Sequence, residues 1–218
     1  MKRPPYHLLL LGFLCVAASL GASSTTATRP AATSGQASCC LTNAGRVGAL
    51  PDRSLYQLES SWTNDSGQAL KLDTLRGRVQ VVVMFFANCN YACPLLIHDL
   101  QRIEAALPEG TRARVGFTLV TLDSERDTPE ALRQFRLGRK LAAERWTLLH
   151  GSPADTLELA ALLGVKFKRE ASGQFAHSNL ITVLSEQGEI VHQLAGLNQD
   201  VGGTVRSILK EIEATPRR

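Results

Sequence analysis

The sequence has little of what most specialised protein classes require. Only 5 cysteines occur in 218 residues, too few for a disulfide scaffold in a domain of this size. Aromatic residues make up 6% and the formal net charge is just +4. With no basic cluster interleaved with aromatics, nucleic-acid binding is excluded. No internal repeat is visible, which removes solenoids and propellers. The uncharged run from Leu8 to Gly21 falls short of the roughly 20 apolar residues of a comfortable membrane span. What is present is core-forming material. Hydrophobic residues make up 44% and charged residues 20%, so a packed core is expected and disorder as the main state is not.

The first residues have the layout of an export signal. Lys2 and Arg3 form a basic start, His7 to Leu20 is apolar, and Gly21, Ala22, Ser23 and Ser24 offer small residues for cleavage. Residues 1–22 are therefore read as a signal peptide, either cleaved or retained as an anchor that ties the chain to a membrane. Cys15 follows Leu14 rather than the small residue that lipidation needs. Residues 23–49, rich in Ser, Thr, Ala and Gly without periodicity, read as a flexible linker. The folded domain is expected over 50–218. Cys39, Cys40, Cys89 and Cys93 then remain in the exported chain, where an oxidising compartment makes thiol chemistry matter.

Hydrophobic patterning orders the domain. Tyr56 to Trp62, a turn at Asn64-Asp65-Ser66-Gly67, and Ala69 to Leu72 suggest an opening hairpin. Val79 to Phe86 and Val115 to Leu122 are continuous apolar runs of the length of strands buried on both faces. Between them, Leu95, Leu96, Leu100, Ile103 and Leu107 have helical spacing from Pro94 to Pro108. Thr128-Pro129 starts another helix, running to about Leu141. Trp146 to His150 is a short strand, and Ser152-Pro153-Ala154-Asp155 opens a helix closed by Gly164. Phe175 to Leu184 and Glu189 to Leu194 flank a turn, and a last helix covers Val201 to Glu213. Alternating strands and helices imply parallel strands with crossovers and an antiparallel edge. The expected fold class is α/β and thioredoxin-like: a central mixed sheet flanked by helices, with an N-terminal hairpin extension.

The chemistry concentrates in Cys89-Asn90-Tyr91-Ala92-Cys93-Pro94, directly after a buried strand. Loops at the carboxyl ends of parallel strands are the usual ligand positions of such sheets. Cys93 is expected at the N-cap of the next helix, where backbone N–H groups and the helix dipole favour a thiolate. The spacing brings the two sulfurs side by side, for a disulfide or for a shared metal. Three intervening residues give a wider bite than the two typical of general thiol–disulfide oxidoreductases, which suits a trigonal soft ion. Copper(I) prefers thiolate and imidazole donors, so a third ligand is sought among the histidines. His98 falls within a helix, His150 ends a strand, and His192 lies in a hairpin strand. His177 stands in Phe175-Ala176-His177-Ser178, where the chain enters the terminal hairpin.

Three segments together resemble the Sco/SenC family of copper proteins: Phe86 to Leu96, Thr121 to Glu130 (TLDSERDTPE), and the Phe-Ala-His-Ser segment. The resemblance runs in order from about Leu50 to Leu197. It implies a thioredoxin-like fold and copper delivery to cytochrome c oxidase, with copper, as Cu(I) or Cu(II), held by Cys89, Cys93 and His177. A bacterial periplasmic location follows from the signal sequence. The implied partners are a copper-receiving oxidase subunit and other periplasmic copper chaperones or thiol reductants. Asn90 stands where the family commonly has proline, and Ser124 follows Asp123 where the family commonly reads Asp-Pro. Asp123 is open to two readings, as a neighbour of the copper site or as a turn residue before a helix. Cys39 and Cys40 lie outside the resemblance and receive no role.

Two function classes remain. One is a copper chaperone serving the dinuclear copper centre of an oxidase. The other is a thiol–disulfide oxidoreductase in which Cys89 and Cys93 are a redox pair that reduces the oxidase subunit's cysteines before metallation. A peroxidase is disfavoured because no Thr-x-x-Cys pattern precedes Cys89.

Overall fold

The computed structural model describes residues 49–215. The signal segment, Cys15, Cys39 and Cys40 lie outside the described residues. Nine strands and four α-helices follow one another through this part of the chain: β1 (Trp62–Asn64), β2 (Ala69–Leu70), β3 (Val79–Phe85), α1 (Ala92–Ala106), β4 (Val115–Thr121), α2 (Pro129–Gly138), β5 (Trp146–Gly151), α3 (Pro153–Leu163), β6 (Phe167–Arg169), β7 (Phe175–His177), β8 (Leu180–Leu184), β9 (Ile190–Ala195) and α4 (Gly202–Ala214). Seven strands form one sheet in the order β2-β1-β5-β4-β3-β8-β9. The three central strands, β5, β4 and β3, are parallel. The strands on either side of them run antiparallel to their neighbours. This is the thioredoxin-like arrangement expected from the element order.

Alternation within the strands divides the core into two layers. Val79, Val81, Val83 and Phe85 pack with Leu96, Leu100 and Ile103 of α1 and Ile208 and Ile212 of α4. Val82 and Met84 face the other way, onto Leu159, Ala160 and Leu163 of α3 and onto Trp62. Every residue of β3 and β4 is buried, which explains why both strands are continuous apolar runs in the sequence. The helix starts follow the local chemistry. Thr128 and Ser152 each accept a backbone N–H three residues on, and proline follows directly in both cases. Gly164 ends α3 at φ +74, a left-handed cap that glycine adopts without a Cβ penalty. No helix among the described residues is long and apolar enough to cross a membrane.

The structure departs from the sequence reading in four places. Tyr56 does not begin a strand, because Leu55–Gln57 is a 3-10 turn capped by Ser54, so the opening hairpin is only β1 and β2. Helix α2 stops at Gly138 rather than Leu141, with Lys140 at φ +56 breaking the helical path. Helix α1 starts at Ala92, which puts Cys93 inside the first turn, and Tyr91 rather than Cys93 is the N-cap. Finally, the run Phe175–Leu184 is two strands. β7 leaves the main sheet and pairs with β6 in a separate two-stranded ribbon, with Phe167 opposite His177. Ser178 makes the break by donating its N–H to the Lys166 carbonyl at 2.8 Å and accepting the Lys166 N–H on its hydroxyl at 3.1 Å.

Candidate metal centre

Strand β3 delivers the chain to the site. The Cys89 N–H turns back to the Phe86 carbonyl at 3.3 Å, and the Ala87 N–H donates to the Asp127 carboxylate at 2.8 Å. The loop is thus tied at its root before the cysteines are reached. Cys89 Sγ then accepts the Cys93 N–H at 3.3 Å. The first turn of a helix leaves N–H groups without intrahelical partners, and Tyr91 supplies no side-chain cap. Here a sulfur from outside the helix satisfies one of them.

Both cysteines are free thiols, and they are not equivalent. Cys93 is fully enclosed and Cys89 is 7% exposed. Burial pushes the Cys93 thiol well up, a negative Cys89 would push it further, and the Phe86 backbone only partly opposes this. Burial also raises Cys89, but the N–H groups of Cys93, Tyr91 and Ala92 and the Cys93 thiol outweigh it, so its net shift is downward. The thiolate therefore forms first at Cys89. This reverses the sequence expectation, which assigned the helix-dipole benefit to Cys93.

His177 ends β7. Its Nδ1 lies 3.1 Å from the Ser178 carbonyl oxygen, and a carbonyl oxygen only accepts, so Nδ1 carries the proton. The lone pair is left on Nε2, which is buried and has no hydrogen-bond partner. Burial pushes the imidazole below its ordinary value, opposed by the Ser178 bond, and keeps the ring neutral. The ring meets Phe86 edge-on at 5.9 Å between centroids, and Phe86 in turn packs on Phe175 at 5.4 Å.

The structure brings Cys89 and Cys93 together and sets His177 beside Phe86. Among the described residues, no three His, Cys, Asp or Glu side chains form a group that could hold a metal ion as they stand. The donor set nonetheless has the character a soft ion needs: two adjacent sulfurs, the Cys89 thiol shifted downward, and an imidazole whose Nε2 has nothing to bind. The other histidines among the described residues are employed elsewhere or open to solvent. His150 pairs with the Asp127 carbonyl, His192 with the Thr204 hydroxyl, and His98 is exposed.

Asp123 is buried, ion-paired with Arg126, and its carbonyl accepts the N–H groups of Arg126 and Asp127. These bonds make it a turn residue closing β4, and its Oδ1 is buried without a hydrogen-bond partner. The residue that sequence reasoning missed is Asp127, whose carboxylate accepts from both Ala87 and Thr121. The signal for it is topological. β3 and β4 are adjacent and parallel, so a polar residue just past β4 lies beside the loop that follows β3.

The SCO1/SenC family model matches residues 51–213. The chain belongs to the SCO1/SenC family. A protein of Stutzerimonas stutzeri named for copper binding is 27% identical over 143 residues, spanning 64% of this chain and 68% of that one. Among solved structures, Arabidopsis thaliana ScoI with copper bound superposes with a TM-score of 0.61 at 21% identity, covering 72% of this chain and 97% of that one. BsSco, a member of the Sco family of cytochrome c oxidase assembly proteins, gives 0.63 at 20% identity, covering 71% and 92%. At these identities the two structures establish likeness of fold.

Proposed function

We propose that this protein is an exported copper carrier that serves cytochrome c oxidase assembly from the periplasm. Copper is its cargo. Copper(I) binds the sulfurs of Cys89 and Cys93 with Nε2 of His177 as third donor, and passes by ligand exchange to the dinuclear copper centre of an oxidase subunit. The observation that carries the reading is the free Nε2: a buried, neutral, unpartnered imidazole nitrogen one aromatic ring from a two-thiol loop. An unsatisfied polar atom of that kind costs stability, and a metal-binding role accounts for it. The family membership and the copper-bound relative support the same reading.

The asymmetry of the thiols favours a second activity, reduction of a target disulfide. Cys89 thiolate attacks one sulfur of the target, a mixed disulfide forms and one target thiolate leaves. Cys93, once deprotonated, then displaces the second target thiolate and closes the Cys89–Cys93 disulfide. That role has no need of His177.

Replacing His177 with Ala separates the two. The carrier reading expects copper(II) binding and its thiolate-to-copper absorption band to be lost, copper(I) binding to be weakened less, and oxidase assembly in cells to fail. The Cys89–Cys93 disulfide still forms and is still reduced. Full oxidase assembly by a variant that binds copper poorly makes thiol reduction the working role.

A further inference from the structure

The turn Asp123–Asp127 holds two things at once. Asp127 grips the Ala87 N–H at 2.8 Å, two residues before Cys89. Arg126, one residue earlier, grips the ribbon that ends at His177. Its Nε donates to the Asp123 carboxylate, and its Nη2 donates to the carbonyl of Gly173 in the turn between β6 and β7. Gly173 has φ +78, and a Cβ placed there would meet Arg126 Nη1 at 3.4 Å. Glycine therefore suits the turn through its positive φ, while the contact with the guanidinium is an ordinary one.

We infer that Arg126 is a positioning residue: it fastens the tip of the His177 ribbon to the end of β4 and so sets how Nε2 is presented to the two thiols. This inference rests on the copper-carrier reading above. β6 and β7 have three residues each and pair only with one another, and a two-stranded ribbon is marginal on its own. Its base is held at Lys166 and Ser178, and its face rests on Phe86 through Phe175. At the tip there is Arg126, together with the Glu125–Arg169 pair at 2.6 Å, whose side chains are exposed on both sides and contribute little. Arg126 is itself 37% exposed, but its partner Asp123 is only 1% exposed. A guanidinium that donates in two directions also fixes the separation of its acceptors, which an ammonium cannot do. One turn thus sets both arms of the site, the cysteine loop through Asp127 and the histidine ribbon through Arg126.

The test is a mutant cycle on the full chain with copper(II) ion as probe, using R126Q, R126K, H177A and R126Q/H177A, alongside amide hydrogen exchange without copper. Loss of Arg126 should speed exchange across residues 167–177 and leave β3 and β4 as they were. Copper(II) affinity should fall by about tenfold or more in R126Q, R126K should recover part of it, and copper(I) affinity should fall less. R126Q/H177A should bind copper(II) no more weakly than H177A alone, because the arginine acts only through the histidine. An equal loss from R126Q with and without His177 overturns the inference, as does unchanged exchange in the ribbon. If H177A weakens copper(II) binding and R126Q leaves it intact, the latch is wrong and the carrier reading stands. If H177A itself binds like the parent protein, the carrier reading fails and the latch falls with it.

Discussion

Replacing Asp127 with Ala tests whether the cysteine loop is held from β4. The carboxylate is 3% exposed and one of its oxygens accepts both the Ala87 N–H at 2.8 Å and the Thr121 hydroxyl at 2.5 Å. Removing it leaves two donors without that acceptor, at about 1–3 kcal/mol for each one left buried and unpaired. Burial of the charge, which pushes the carboxyl above its ordinary value, offsets part of this, so a net loss of about 2–3 kcal/mol is expected. In a domain of this size each kcal/mol moves the melting midpoint by about 2–4 °C, so the midpoint should drop by about 4–12 °C. Asp127→Asn keeps one acceptor oxygen and should lose about half as much. Because the folded-state value is raised above 3.8, the folded chain binds this proton more readily than the unfolded one. The parent's stability therefore falls as pH rises through that window, and its advantage over Asp127→Asn is largest in acid. Scanning calorimetry reads the midpoints, and the rate of Cys89 alkylation reads the loosened loop. If the Asp127→Ala protein melts with the parent and alkylates at the same rate, the cysteine loop is not held by this carboxylate.

Alkylation by a limiting amount of iodoacetamide at neutral pH should mark Cys89 before Cys93, because Cys89 is the lowered and less enclosed thiol; peptide mass spectrometry decides, and equal labelling contradicts the assignment. His177 supplies a pH signature in the copper-free protein. Its ring is pushed below 6.5 by burial, so as pH falls through that value the unfolded chain takes up a proton that the folded ring resists, and stability drops. Urea midpoints of the parent should fall more steeply through this range than those of His177→Gln, and parallel curves contradict the buried neutral imidazole.

What the sequence made legible is what local chemistry determines. The runs at Val79 and Val115 announce strands covered on both faces, and Thr128-Pro129, Ser152-Pro153 and Gly164 mark helix ends through backbone constraints that act within a few residues. The ribbon was not legible, because β6 and β7 are three residues long and their separation from the main sheet depends on the Lys166–Ser178 contacts across a loop. Nor was the order of the two thiols. Cys93 would be the favoured thiolate by helix position alone, but enclosure in the core raises it while its own N–H supports the sulfur of Cys89. The role of Asp127 required knowing that β3 and β4 are neighbours. Three short motifs carried the identity of the family, and tertiary structure alone placed His177 against Phe86 with Nε2 unpartnered.

In the proposed site copper is held by two sulfurs and one imidazole nitrogen. X-ray absorption on the copper(I)-loaded protein measures this directly. A three-coordinate ion is expected, with two sulfur scatterers and one nitrogen scatterer carrying the outer-shell signature of an imidazole ring, and His177→Ala should remove that nitrogen while both sulfurs remain. A spectrum of two sulfurs with no imidazole, unchanged by His177→Ala, would contradict it.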